Sequence, residues 1–391
     1  MITYLFSALL VLVSAAAWAS SPGGQTQHHA QAPDWPAANR AVDEAGGWKA
    51  YLRESTAAQS AASPGDRSSA FRGDRSAAQR AAEARRFAQT VDGWIDSALL
   101  AQPGLTPATE MLGRELATVR HFGQLSSGAR STLSQAVGLA RQVTDDAIAW
   151  AYAQEHRARR REREDLAEVQ WELAQRMHAV GNIPLLEERK ARLHLLEAQA
   201  DLHKAQARML SARESLVRHL RPAGLWSEPV DGADGLVLPL PQSATPGAAV
   251  AAEDGATVNR FAKLLSAEQR AAASQRARAA SNATPYATPY ALRHAYAALV
   301  QAEDLLQLAT ARAQVLVDEG LTVRIVISDE HLLAYNGMLI GTPKLLKDRD
   351  SAMAFELEVL EAVRDYWLAR SRRDHQQVVA LLEEIFWGVR P

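Results

Sequence analysis

Few residues in this chain are of a type and spacing that could do chemistry. His178, His194, His203 and His219 are the obvious metal-ligand candidates. Two imidazoles share a helical face at i and i+4, and no pair here has that spacing, so each reads as isolated. His28 and His29 are adjacent, in a polar stretch that reads as a solvated tail. His156 to Arg163 contains five arginines, which would suit phosphate or nucleic acid. Glu155, Glu162, Glu164 and Asp165 neutralise them, and the segment is expected to be a charged helix face. Ser211 and Asp201 fall on helix surfaces by pattern. No Ser-His-Asp signature, phosphate loop or zinc motif occurs, so no catalytic residue, metal or cofactor is assigned and the chain does not read as an enzyme. The absence of cysteine removes disulfides, thiolate metal sites, thiol nucleophiles and a lipidated cysteine anchor.

Composition narrows the class. Charged residues make up 23% of 391 and the net charge is −2, so no nucleic-acid partner follows. Alanine is plentiful and aromatics are 6%, which suits closely packed long helices. Leu5 to Ala17 is apolar, and Ala17-Trp18-Ala19 fits a small-x-small cleavage site, so residues 1–19 read as a secretory signal peptide. That run is short of the ~20 residues needed to span a bilayer. Export to the periplasm or outer membrane follows.

The elements that must position anything functional are helices. Residues 20–80 read mainly as a poorly ordered N-terminal segment, with helical pattern beginning near Ala77 and running to Leu100. Residues 108–130 are ambiguous. A long helix is expected from Ser131 to Val180. Leu185 to Arg221 has no Gly or Pro and would be a helix of about 55 Å at the α-helical rise. Residues 222–254 are a Pro- and Gly-rich linker. Further helices are expected over Ala256–Ala280 and from Ala291 through Leu333. Leu345 to Trp387 would be about 65 Å long. Leu321 to Ile327 is β-branched enough to suggest a strand, but the flanking periodicity favours helix. Gly181-x-x-x-Leu185-Leu186 recurs as Gly341-x-x-x-Leu345-Leu346, 160 positions later. Leu186, Leu193, Ala200 and Ala207 then repeat every seven residues, as do Leu346, Met353, Leu360 and Trp367. The expected fold is mainly all-α: a first helical-hairpin repeat over 81–221, the linker, and a second over 255–391, each a long antiparallel coiled-coil hairpin. Gly181, Gly337 and Gly341 are the residues expected to supply positive φ at the bends.

Tyr335-Asn336-Gly337-Met338-Leu339-Ile340-Gly341, with Leu345-Leu346 and Glu361 to Arg370, resembles the TolC-type outer-membrane efflux proteins, in the copper and heavy-metal branch. Ala179-Val180-Gly181-Asn182 with Glu188, Ala198 and Ala205 agrees in the first half. The resemblance implies a homotrimer in which each protomer gives two hairpins to a periplasmic tunnel. Gly181, Asn182, Tyr335, Asn336, Gly337 and Gly341 would be the hairpin tips. They would meet a periplasmic adaptor protein that connects to an inner-membrane pump, with metal ions or small toxic compounds as cargo. It also implies acidic groups inside the tunnel entrance, six positions after the tip glycine. Glu187 and Lys347 hold those positions, with Glu188, Asp348 and Asp350 beside them, and a solvated helix face explains these as well.

The chain departs from that family where a membrane barrel should be. Only about ten residues separate the helix ending near Ala280 from the one starting near Ala291, while each spanning strand needs ~9–11. The first half lacks alternating, aromatic-flanked strands. The barrel strands are therefore expected to be vestigial or absent. Two other readings stay open: a barrel-less periplasmic coiled-coil scaffold, and an adaptor-like protein.

Overall fold

The structure is a computed structural model that describes residues 77–102, 104–105, 127–220, 236–241, 261, 267–281 and 289–387. The signal peptide, His28-His29, residues 108–126 of the ambiguous stretch and residues 282–288 of the Thr-Pro-Tyr break lie outside the described residues, as does most of the linker. The described residues are helical apart from turns and one extended segment, with no strand among them. No described helix is long and apolar enough to cross a membrane.

Among the described residues, seven α-helices follow in chain order: α1 (Ala77–Leu100), α2 (Ser127–Ala179), α3 (Leu185–Leu220), α4 (Ala267–Ser281), α5 (Tyr290–Gln314), α6 (Leu321–Asn336) and α7 (Thr342–Phe386). The expectation of two long antiparallel hairpins is met by α2–α3 and by α5–α6–α7. Helix α2 starts at Ser127, four residues before the sequence suggested. The β-branched run at 321–327 is helical inside α6.

A single π-helical turn, Val315–Gly320, joins α5 to α6 and makes them one limb. Its last residue, Gly320, faces a neighbouring ring closely. A Cβ there would lie 2.5 Å from Cζ of Phe355 on α7, so only glycine lets the ring approach the bulge.

The helices stand in a row. Helix α3 packs on α2, α2 on α7, and α7 on α5 and α6; α1 lies on α2, and α4 on α5 and α7. The core follows from the faces these contacts cover. Phe87, Val91, Trp94, Ile95 and Ala98 are a single stripe of α1, at helical spacing, and all are buried. Trp367 is the hub. Its Nε1–H donates to the Pro239 carbonyl at 2.8 Å, and Phe87 lies 5.7 Å from it between ring centroids. The extended segment 236–241 of the linker is therefore packed into the core, with Leu238 buried.

The repeat is real, but its register differs from the expected 160. Gly181 has φ +78 and Met338 has φ +60, and these are the positive-φ residues of the described chain. They are 157 positions apart (338 − 181). The return helices begin at Leu185 and Thr342, again 157 apart (342 − 185). The seam changes accordingly. Leu186, Leu193, Ala200 and Ala207, the heptad column of the first return helix, are exposed in the single chain. The buried stripe of α3 is Leu195, Ala198, Leu202 and Ala205. In the second half, Met353, Leu360 and Trp367 are buried as expected and Leu346 is half-buried.

Candidate functional site

Both bends are Schellman motifs, which close a helix by bonding its last free carbonyls. In the first, Asn182 N–H donates to Met177 O at 2.8 Å and Gly181 N–H to His178 O at 2.9 Å. In the second, Leu339 N–H donates to Ala334 O at 2.8 Å and Met338 N–H to Tyr335 O at 2.9 Å. The left-handed position falls on a glycine once and on a methionine once. Gly337, expected to bend the chain, sits one residue early with φ −79. Gly341 is extended, at φ −86 and ψ 161, and caps α7; its carbonyl accepts from Lys344 N–H at 3.0 Å. Neither needs glycine's freedom, which corrects the expectation for both.

The two bends lie at one end of the row. Gln170 Nε2 donates to Leu346 O at 3.1 Å, linking α2 shortly before its bend to α7 shortly after its own. Among the predicted tip residues, Gly181, Asn182, Asn336, Gly337 and Gly341 are exposed. Tyr335 is half-buried, and its hydroxyl lies 3.5 Å from Thr342 Oγ1. The sequence reading missed the most prominent groups there: Met338 and Leu339 are 84% and 81% exposed, with Val180 also exposed. Apolar residues inside the turn tetrads were the available signal.

The predicted acidic residues divide in two. Glu187 is exposed and pairs with Lys190 at 2.8 Å, and Glu188 is half-buried. Asp348 and Asp350 are bound within the chain. Asp350 takes a forked pair of hydrogen bonds from Arg163 of α2, at 2.6 and 3.2 Å, and His194 of α3 stands 3.7 Å away. That carboxylate also holds the Arg163 guanidinium above its ordinary pKa. Asp348 accepts from Arg324 at 2.7 Å and from Ser328 at 3.3 Å, both on α6. His331 Nδ1 lies 2.9 Å from Asp348, at an angle poor for a hydrogen bond. These two aspartates, two residues apart and so on opposite sides of α7, tie it to α6 and to α2 near the bends. Among the described residues no group of three or more His, Cys, Asp or Glu side chains could hold a metal ion.

The arginine run is not simply the solvated face expected. Arg159 is 1% exposed and stands among Glu155, Glu162 and Glu356, at 3.3, 3.0 and 3.3 Å. Burial raises the Glu356 carboxyl pKa, against the pull of Arg159. Arg160 pairs with Asp201 of α3 at 2.9 Å. Only Arg161, with Glu164 and Asp165, behaves as a surface network. Arg157 and Arg161 stay on the exposed face of α2, whereas Arg159, Arg160 and Arg163 reach carboxylates on α7 and α3 and become cross-links.

The outer edges of the row complete the geometry. Leu186, Leu193, Leu196 and Leu210 are exposed along α3, and Leu308, Val315, Val326 and Leu333 along the α5–α6 limb. Neither edge has a neighbour among the described residues beyond α1 against α3 and α4 against α5.

No protein-family model matches the chain, and no curated protein does. Several solved structures are similar, two of which follow. One is CusC, described with conformational changes that accompany folding and transmembrane channel formation: 12% identity over 74% of this chain and 96% of that one, TM-score 0.47. The other is a membrane protein from Pseudomonas aeruginosa: 15% identity over 70% of this chain and 72% of that one, TM-score 0.41. At these values the likeness assigns no family.

Proposed function

We propose that this chain is a TolC-like component of a tripartite efflux system, a homotrimer that lends two hairpins per protomer to a periplasmic tunnel. One observation carries this reading. A row of long helices has two apolar edges of different sequence, and one edge can be covered by a second copy's other edge. A contact between unlike faces is heterologous, and it closes into a ring when the rotation permits. Both bends stand at the same end of such a ring, with Met338 and Leu339 outermost. They are the surface offered to a periplasmic adaptor, which links to the inner-membrane pump. The cargo is metal ions or small toxic compounds, moved passively by the partner pump. The protein acts in the periplasm or at the outer membrane and has no catalytic residues.

A second reading has its own observation. Helix α4 ends at Ser281 and α5 starts at Tyr290, which leaves eight residues for a connection. A pair of bilayer-spanning strands needs ~9–11 residues each. A barrel-less scaffold that binds the adaptor without conducting fits that length.

The natural chain has no cysteine, so introduced pairs report cleanly. Leu193→Cys with Val326→Cys, oxidised in intact cells, should give a ladder ending at a trimer. A monomer alone would overturn the ring. Fractionation then separates the readings: a conducting channel partitions with the outer membrane, a scaffold with the soluble periplasm.

A further inference from the structure

Where α2, α3 and α7 meet, a cluster of side chains has no part in the transport reading. Tyr152 and His156 lie one turn apart on α2, 7% and 3% exposed, with ring centroids 5.3 Å apart. Tyr152 Oη and His156 Nε2 are buried, and neither has a hydrogen-bond partner among the described residues. Polar atoms so placed are costly unless something satisfies them, and together with the charge around them they point to a ligand.

Positive charge gathers around the same two groups from three helices. Arg160 of α2, Arg208 of α3 and Arg364 of α7 all act on both rings. The Arg364 guanidinium stands 4.6 Å from the Tyr152 ring centroid. Arg160 is held by Asp201 at 2.9 Å and Arg364 by Asp365 at 2.7 Å. Arg208 is exposed and makes no ion pair with any described residue. Glu361 and Asp201 are the opposing carboxylates that reach the rings. Burial first, and then the three guanidinia, push the His156 imidazole down to about 4. It is therefore neutral near pH 7, and it shares with the phenol the ability to donate without adding charge.

We infer that this cluster binds a small inorganic oxyanion, with Arg208 as its uncommitted charge and Tyr152 and His156 as neutral donors beneath it. A guanidinium fork matches two oxygens of a tetrahedral oxyanion, and a spherical halide offers no such geometry. The uncommitted arginine sets the sign of the ligand, and the buried orphans set its small size.

The test titrates the full chain with sodium sulfate and with sodium chloride at matched ionic strength. Sulfate should raise the unfolding midpoint along a saturating curve that chloride does not reproduce. Arg208→Gln, on an exposed side chain that leaves the fold intact, should weaken the apparent affinity about tenfold. In the natural chain, saturating sulfate should move the His156 imidazole titration upward by about one pH unit, read by NMR, because a nearby anion favours the charged ring. A rise that stays linear in sulfate, and is identical in Arg208→Gln, would be general salting-out and would overturn the site. So would a His156 titration that sulfate leaves unmoved.

Discussion

Gly181 and Met338 hold the same place in two superposable turns, each the left-handed residue that ends one helix before the next begins. Glycine adopts that conformation freely, whereas an L side chain pays roughly 1–2 kcal/mol for it. The second hairpin has its own glycine, Gly337, one residue too early to help.

The asymmetry is measurable. Gly181→Ala should lower stability by about 1 kcal/mol, and Met338→Gly should raise it by up to about that much. Gly341→Ala should be close to neutral, since a Cβ there meets only Pro343 Cδ at 3.6 Å. Urea midpoints of the three variants settle the order. A loss at position 341 as large as that at 181 would contradict it.

The π-turn makes a sharper demand. Gly320→Ala drives a methyl against the Phe355 ring, and overpacking of this kind costs about 1–3 kcal/mol. Phe355→Leu should recover part of that loss, so the double variant will be more stable than the two single effects predict. Additive effects in a double-mutant cycle would show that the ring moves away freely.

Arg163 and Asp350 fasten the first hairpin to the second near the bends. Both side chains retain some solvent access, and the pair is discounted accordingly. Asp350→Asn should cost roughly 1 kcal/mol or less overall, yet local opening should rise. Hydrogen exchange over residues 342–352 is expected to quicken in the variant while the core helix near Trp367 stays protected.

Two histidines set an acid limit, His156 buried and His375 half-buried. Burial lowers His156 and His375 to about 4, and the Arg141 charge adds to the effect at His375. In the unfolded chain each titrates near 6.5, so between those values the unfolded state binds protons that the folded state refuses. Stability is complete above about pH 6.5 and declines as pH falls toward about 4. Asp145, whose pKa burial raises, works in the opposite sense at lower pH, because the folded form takes its proton first. His375→Gln should flatten the fall in thermal midpoint between pH 6.5 and 4.5; an unchanged slope would place the sensitivity elsewhere.

Trp367 and Leu186 divide what was legible in the chain from what was not. The sequence by itself determined the long helices, their limits to within a few residues, and the existence of a repeated bend. Gly/Pro-free length and heptad spacing act locally, so they can be read without knowing the neighbours. It did not determine which heptad column is buried. Leu186, Leu193, Ala200 and Ala207 have the same spacing as Leu195, Leu202 and Met209, and spacing alone cannot tell a face pressed on α2 from a face on the outer edge. The register of the repeat was misread for a related reason: Gly-x-x-x-Leu-Leu matches letters, whereas the turns match backbone bonds, and those place Met338 opposite Gly181. The arginine run likewise needed α2 to lie between α3 and α7 before its charges became cross-links. Only tertiary structure decides such matters, because burial and ion pairing belong to pairs of helices, while periodicity belongs to one.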